Sequence, residues 1–154
     1  MLERYMMYQK AMLFSDPETA ESILKTTSPK DQKALGRLVK NFDEETWLAN
    51  RERIVEDGNY YKFVFGKGEG EGSEGEPPGL RRRLLSTGER EIVEASPLDR
   101  IWGIGFGAKN AQASKERWGQ NLLGKAIMKV RQRLIAEERH EQSLGSIKVR
   151  TYMA

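Results

Sequence analysis

Residues 16–58, DPETAESILKTTSPKDQKALGRLVKNFDEETWLANRERIVEDG, decide the fold class of this chain. Asp16 followed by Pro17 is a helix N-cap with proline at the first helical position, which starts a short helix through about Thr26. Ser28, Pro29 and Asp31 repeat the device and start a second helix, with Leu35, Leu38, Val39 and Phe42 at core-facing spacing. Asp43 caps a third helix through Trp47, Leu48, Arg51, Ile54 and Val55, with Gly58 as its expected end. Three capped helices in succession predict a mainly α-helical fold.

Composition bounds the rest. At 154 residues the chain is one domain's worth, with 38% hydrophobic and 32% charged residues, a soluble globular balance with no apolar run long enough to cross a bilayer. The net charge of +3 is spread along the chain, which argues against a dedicated nucleic-acid surface. The absence of cysteine excludes disulfides, thiolate zinc sites and a cysteine nucleophile. With no signal-peptide order at the N-terminus, a cytoplasmic location is expected, or a nuclear one. The single His140 sits in the polar run EERHEQ and reads as a solvated helix residue.

Ahead of the three helices, Tyr5, Met6, Ala11, Met12, Leu13 and Phe14 stand in helical register with no cap before them, so Met1 reads as an internal start within a longer parent sequence. Beyond the three helices, residues 66–79, GKGEGEGSEGEPPG, lack any apolar side chain and are expected to form a flexible loop. Leu80–Leu85 suggests one or two helical turns ending at Gly88, and REIVEAS, residues 90–96, alternates well enough for a short strand. Asn121 is expected to cap a long helix with an apolar stripe of Leu122, Leu123, Ala126, Ile127, Val130 and Leu134, its basic residues, Arg131 among them, mostly solvated. From about Ser143 the chain reads as a tail or as a final strand over IKVRTY, so the domain is expected to span residues 1–141 and the tail 142–154.

The stretch ASPLDRIWGIGFG, residues 95–107, carries the chemistry that is hardest to place. A dinucleotide fingerprint needs G-x-G-x-x-G between a strand and a helix within a βαβ series, whereas Gly103, Gly105 and Gly107 are spaced two apart with no such series around them. Tryptophan beside small residues instead suits close approach of backbone to a flat ligand. Glu3 and Lys10 return to nearly one face of a helix after two turns, with their Cα atoms roughly 10 Å apart, so they can flank a sugar or simply face solvent. Glu94 and Asp99 are a second acidic pair that equally suits capping turns or pairing with Arg90 and Arg100. Arg51, one turn beyond Trp47, fits a surface residue or an anion clamp.

Taken together, ERYMMYQKAMLF (3–14), WLANR (47–51), NYYKF (59–63), LLSTGEREIVEASPLDRIWGIG (84–105) and GQNLLGKAIMKVRQRL (119–134) resemble the NADAR family, also called YbiA-like proteins. The resemblance spans residues 3–135. It implies a compact, mainly α-helical single domain with a few short strands, acting as an N-glycosidase without cofactor or metal. The implied substrates are phosphorylated N-ribosides: phosphoribosylamino-pyrimidine intermediates of riboflavin synthesis, or ADP-ribose attached to guanine, with nucleic acid at most the carrier of the modified base and no membrane partner. Through the family pattern Glu3, Lys10 and Asp99 are the expected catalytic residues, Lys10 as a Schiff-base nucleophile and a carboxyl as proton donor. Arg51 is expected to hold phosphate and Trp102 to stack on base or ribose, with Gly103 and Gly105 leaving room for the ligand and Glu94 and Asn121 completing the binding set. Family members carry a further segment ahead of the glutamate and a shorter link after NYYKF. The alternative is a non-catalytic module that binds ADP-ribose or a related nucleotide.

Overall fold

In the computed structural model, residues 2–66 and 79–151 are described, with side chains as far as residue 144. The expected flexible loop therefore falls outside the described residues except for Gly66 and Gly79. The chain divides into two compact units, Met1–Gly66 and Lys67–Ala154.

The first unit holds α1 (Leu2–Leu13), α2 (Pro17–Lys25), α3 (Pro29–Arg37) and α4 (Glu44–Phe65). The three expected caps are made: Asp16, Ser28 and Asp43 accept from the backbone N–H groups of Thr19, Asp31 and Thr46. Asp16 does more than cap, because its second carboxylate oxygen accepts from Lys40 N at 2.9 Å and ties the start of α2 to the segment after α3. α1 packs against α2, α3 and α4. Its turn into α2 is closed by Ser15 in the left-handed region and a bond from Asp16 N to Ala11 O, at 2.9 Å. Ala11, Phe14, Ala20, Ile23 and Val39 form the core of this unit, with Met7, Tyr8, Leu35 and Trp47 packed around it.

Two expectations change here. α3 stops at Arg37, so Leu38 and Phe42 lie beyond it and are exposed, Leu38 at 70%. α4 runs straight through Gly58 to Phe65. Gly58 does not end a helix; it lets one approach, because a Cβ there would come within 2.8 Å of Tyr5 and 2.9 Å of Leu2.

The second unit holds α5 (Gly79–Leu85), α6 (Ala108–Ala111), a 3₁₀ helix (Gln112–Arg117) and α7 (Leu122–Thr151). α5 packs on α7, and Leu84, Leu122, Ala126, Val130 and Leu134 are buried. No strand occurs among the described residues, so the fold is mainly α without the few short strands expected. Residues 91–96 have no regular secondary structure and form no ladder: Glu94 N donates to the side chain of Asn121, whose own amide donates to Ile92 O, at 3.0 and 2.9 Å. One side chain thus bonds a donor and an acceptor of the segment, and Ile104 N donates to Glu94 O at 3.0 Å. Residues 143–151, read as part of a tail or of a final strand, are helical instead, since α7 continues to Thr151; the remaining residues of that stretch lie outside the described ones. Among the described residues no helix is long and apolar enough to cross a membrane.

Candidate functional site

The first unit brings Glu3 and Lys10 to the side of α1 that meets α3. Glu3 lies 3.7 Å from Lys33 Nζ, and Lys10 Nζ donates to Gly36 O at 2.8 Å. Met7, between them on α1, occupies the space that a Cβ on Gly36 would need, with its Cγ 2.9 Å from that position. The missing side chain thus lets the end of α3 come close enough for its carbonyl to reach the lysine. That carbonyl belongs to the last turn of α3, where orphan acceptors and the negative end of the helix dipole both attract a cation.

Two aromatic rings complete the surroundings of Lys10. Its Nζ sits 4.3 Å from the centre of the Phe42 ring and 5.5 Å from that of Trp47. Burial of the amine pushes its pKa below lysine's ordinary value. Among the described residues no carboxylate pairs with it. A half-buried amine beside a carbonyl and two rings is chemically suited to nucleophilic attack, since a larger share is unprotonated than in a solvated lysine. By spacing Phe42 reads as core and Trp47 only as a residue of the third helix, and nothing singles out Gly36; the position of Phe42 is set by the turn through Asn41, φ 55°, which hydrophobic spacing cannot show. Arg51 lies on α4 of the same unit and is half-buried.

In the second unit, Glu94, Asp99, Trp102, Gly103 and Asn121 form one knot of hydrogen bonds through the backbone, with Gly105 close by in sequence. Asp99 Oδ1 accepts from Ile101 N at 2.9 Å and from Trp102 N at 2.8 Å, which folds the turn and fixes the backbone of the tryptophan. The carbonyls of Ile101, Trp102 and Gly103 then accept from Leu122 N, Leu123 N and Asn121 N, at 3.1, 3.0 and 3.2 Å. The first donors of α7 are therefore spent on the loop, and this helix end does not offer them to a phosphate.

The small residues serve the same closure. A Cβ on Gly103 would lie 2.8 Å from Glu94 O and 2.9 Å from Asp99 O, and one on Gly105, φ 76°, would meet the Arg100 side chain at 2.7 Å. The room expected for a ligand beside these glycines is taken by the chain itself. Asn121 caps with backbone and not with side chain: at φ 51° its carbonyl accepts from Lys125 N while its amide spans Ile92 and Glu94. The Glu94 side chain is exposed. Arg131 corrects the reading of α7 as carrying solvated bases, because it is 5% exposed and donates to Thr87 Oγ1 at 2.7 Å and to Arg90 O at 2.8 Å. Its partners lie more than forty positions away in sequence, so no local pattern announces it.

The sequence matches the NADAR domain family profile over residues 1–135. It is 42% identical over 132 residues to an N-glycosidase of Acanthamoeba polyphaga mimivirus, covering 84% of this chain and 71% of the relative. Protein irg-1 of Caenorhabditis elegans is 36% identical over 136 residues, 86% of this chain and 59% of that protein, so the chain spans less than two thirds of that relative. The N-glycosidase YbiA of Escherichia coli strain K12 is 26% identical over 131 residues, 85% of this chain and 69% of the relative. With the match running through both the Lys10 helix and the Trp102 turn, the chain belongs to the NADAR domain family.

Proposed function

We propose that this chain is an N-glycosidase that hydrolyses the C–N bond between a phosphorylated ribose and a base. The observation that carries the reading is the desolvated amine of Lys10, held on the helix that also presents Glu3. The N-glycosidase names of several family relatives support it. The substrates that suit it are ADP-ribosylated guanine, free or carried on nucleic acid, and phosphoribosylamino-pyrimidines.

Lys10 enters as the free amine. Its lone pair adds to the anomeric carbon as the C–N bond to the base breaks, the bonding pair leaving on the base nitrogen, which takes a proton from the carboxylic acid of Glu3. The added nitrogen passes a proton to the Glu3 carboxylate. As the ring C–O bond opens, Glu3 gives that proton to the ring oxygen and the nitrogen lone pair forms a protonated imine with the sugar. Water adds to the imine carbon and gives one proton to Glu3, restoring its acid; the new hydroxyl's proton then passes to the nitrogen as the C–N bond to Lys10 breaks, and ribose phosphate leaves as the aldehyde with the amine restored.

Arg51 supplies a planar, fixed positive charge for the phosphate. For the second unit, taken by itself, the family pattern gives Asp99 a catalytic part and Trp102, Glu94, Asn121, Gly103 and Gly105 a part in binding the substrate. Asp99 contributes foremost by orienting the Trp102 backbone.

Incubation with ADP-ribosylated guanosine and with the amino-pyrimidine ribosides, followed by mass spectrometry, tests the reading. Release of free base together with ribose phosphate supports it. Binding without release would point instead to a nucleotide-binding module, and neither release nor binding would refute both.

A further inference from the structure

We infer that Phe42, together with Trp47 and the carbonyl of Gly36, forms a cation cage around Lys10 Nζ that stabilises the positively charged sugar adduct, which makes Phe42 a catalytic residue. The inference rests on Lys10 being the nucleophile proposed above. Both rings approach the same nitrogen, at 4.3 and 5.5 Å from their centres, and the Gly36 carbonyl is hydrogen-bonded to it. The contacts of Lys62 with Phe63, Lys115 with Trp118 and Arg117 with Phe106 each involve a single ring.

The chemistry follows from what surrounds this nitrogen. A carboxylate beside Lys10 would fix the proton on the amine and oppose attack, and among the described residues no carboxylate pairs with it. Aromatic faces attract a cation through their quadrupole without taking a proton from it. They favour the resting ammonium as well as the cation that forms on attack, but they hold no full negative charge and so leave the neutral amine within reach. In the protonated imine the charge remains on the same Lys10 nitrogen, so the rings that face the ammonium face the adduct. Measured from the neutral amine that attacks, cage stabilisation acts on a charge that develops on this nitrogen as the adduct forms.

The placing of Phe42 fits this use. It is 47% exposed although apolar, and it stands outside any helix, after Asn41 in the left-handed region. Its ring leans on the buried Phe14 ring at 5.2 Å between centres and 60° between planes. That contact holds the ring in place while leaving its face for the lysine.

The test replaces Phe42 with Leu, with Tyr, and with phenylalanines of increasing fluorination, which weaken the ring face while nearly keeping its shape. Full-length protein is mixed with ADP-ribosylated guanosine and, in parallel, with the amino-pyrimidine riboside; borohydride then traps the imine on Lys10, and kcat, KM and melting temperature are recorded. F42L and the most fluorinated ring are expected to lower kcat and trapped adduct by about threefold to tenfold, in step with fluorination and with KM nearly unchanged, while F42Y retains wild-type values. Equal adduct and kcat across the series would overturn the cage while leaving Lys10 as nucleophile intact. So would a fall in F42Y as deep as in F42L together with lowered melting temperature, which would mark packing alone. Turnover by wild type with no trapped adduct would overturn the lysine mechanism and the cage with it, and no turnover would overturn the glycosidase reading and both of these.

Discussion

Lys10, the proposed nucleophile, also has a structural part. It bonds the end of α3 through Gly36 O, yet burial holds its pKa below the ordinary value. Burial disfavours the ammonium, so the amine appears at lower pH than in a solvated lysine, and the rising limb of kcat should come earlier by the same shift. Amine acylation followed by peptide mapping checks this directly: the midpoint of labelling against pH is expected to be lower for Lys10 than for a lysine in a short unstructured reference peptide. Asp16 titrates with the opposite consequence. Hydrogen bonds from Lys40 N and Thr19 hold its carboxyl below the usual carboxylate range, so its contribution to stability is complete above that range and withdrawn as pH falls through the native value. Denaturant melts of D16N against wild type should accordingly differ at neutral pH and converge in acid. Asn121 is a third residue whose role is geometric; N121A leaves Glu94 N and Ile92 O without partners and is expected to cost about 1–3 kcal/mol in chemical unfolding.

At the scale of elements, the readable features were those whose cause is local. Asp16, Ser28 and Asp43 each satisfy a backbone N–H three residues on, so the starts of α2, α3 and α4 follow from sequence alone. The ends were less legible, because a glycine that reads as a helix stop can instead permit close contact within the helix. Gly58 illustrates the second case, and Gly36 pairs it against Met7. In an exposed helix Gly→Ala would stabilise by roughly 1 kcal/mol, whereas G58A must displace Tyr5 or Leu2 and is expected to destabilise by about 1–3 kcal/mol. Equilibrium denaturation of G58A gives the sign. Residues 91–96 had the alternation of a strand, but alternation reports two unlike faces and not the presence of a ladder. Here Asn121, far along the chain, provides the bonds.

For the whole molecule, composition and caps indicated a helical chain, and the blocks around Lys10 and Trp102 indicated its family. What they did not indicate was the close environment of each site residue. Phe42 reads as core by its spacing and stands in the open beside the lysine, while Arg131 reads as solvated and is buried on Thr87 and Arg90 O. Both depend on turns or on partners distant in sequence, which periodicity does not encode. The glycines of the WGIGFG stretch likewise invite a ligand in sequence, whereas Gly103 and Gly105 admit the chain's own carbonyls and the Arg100 side chain. The chemistry proposed for the molecule converges on a single amine. The most direct measurement is therefore the turnover of K10A and K10R beside wild type on ADP-ribosylated guanosine and the amino-pyrimidine riboside, read as base released per protein by mass spectrometry. Wild type is expected to release base, with both variants slower by about a thousandfold or more and still folded; full turnover by either variant would contradict the account.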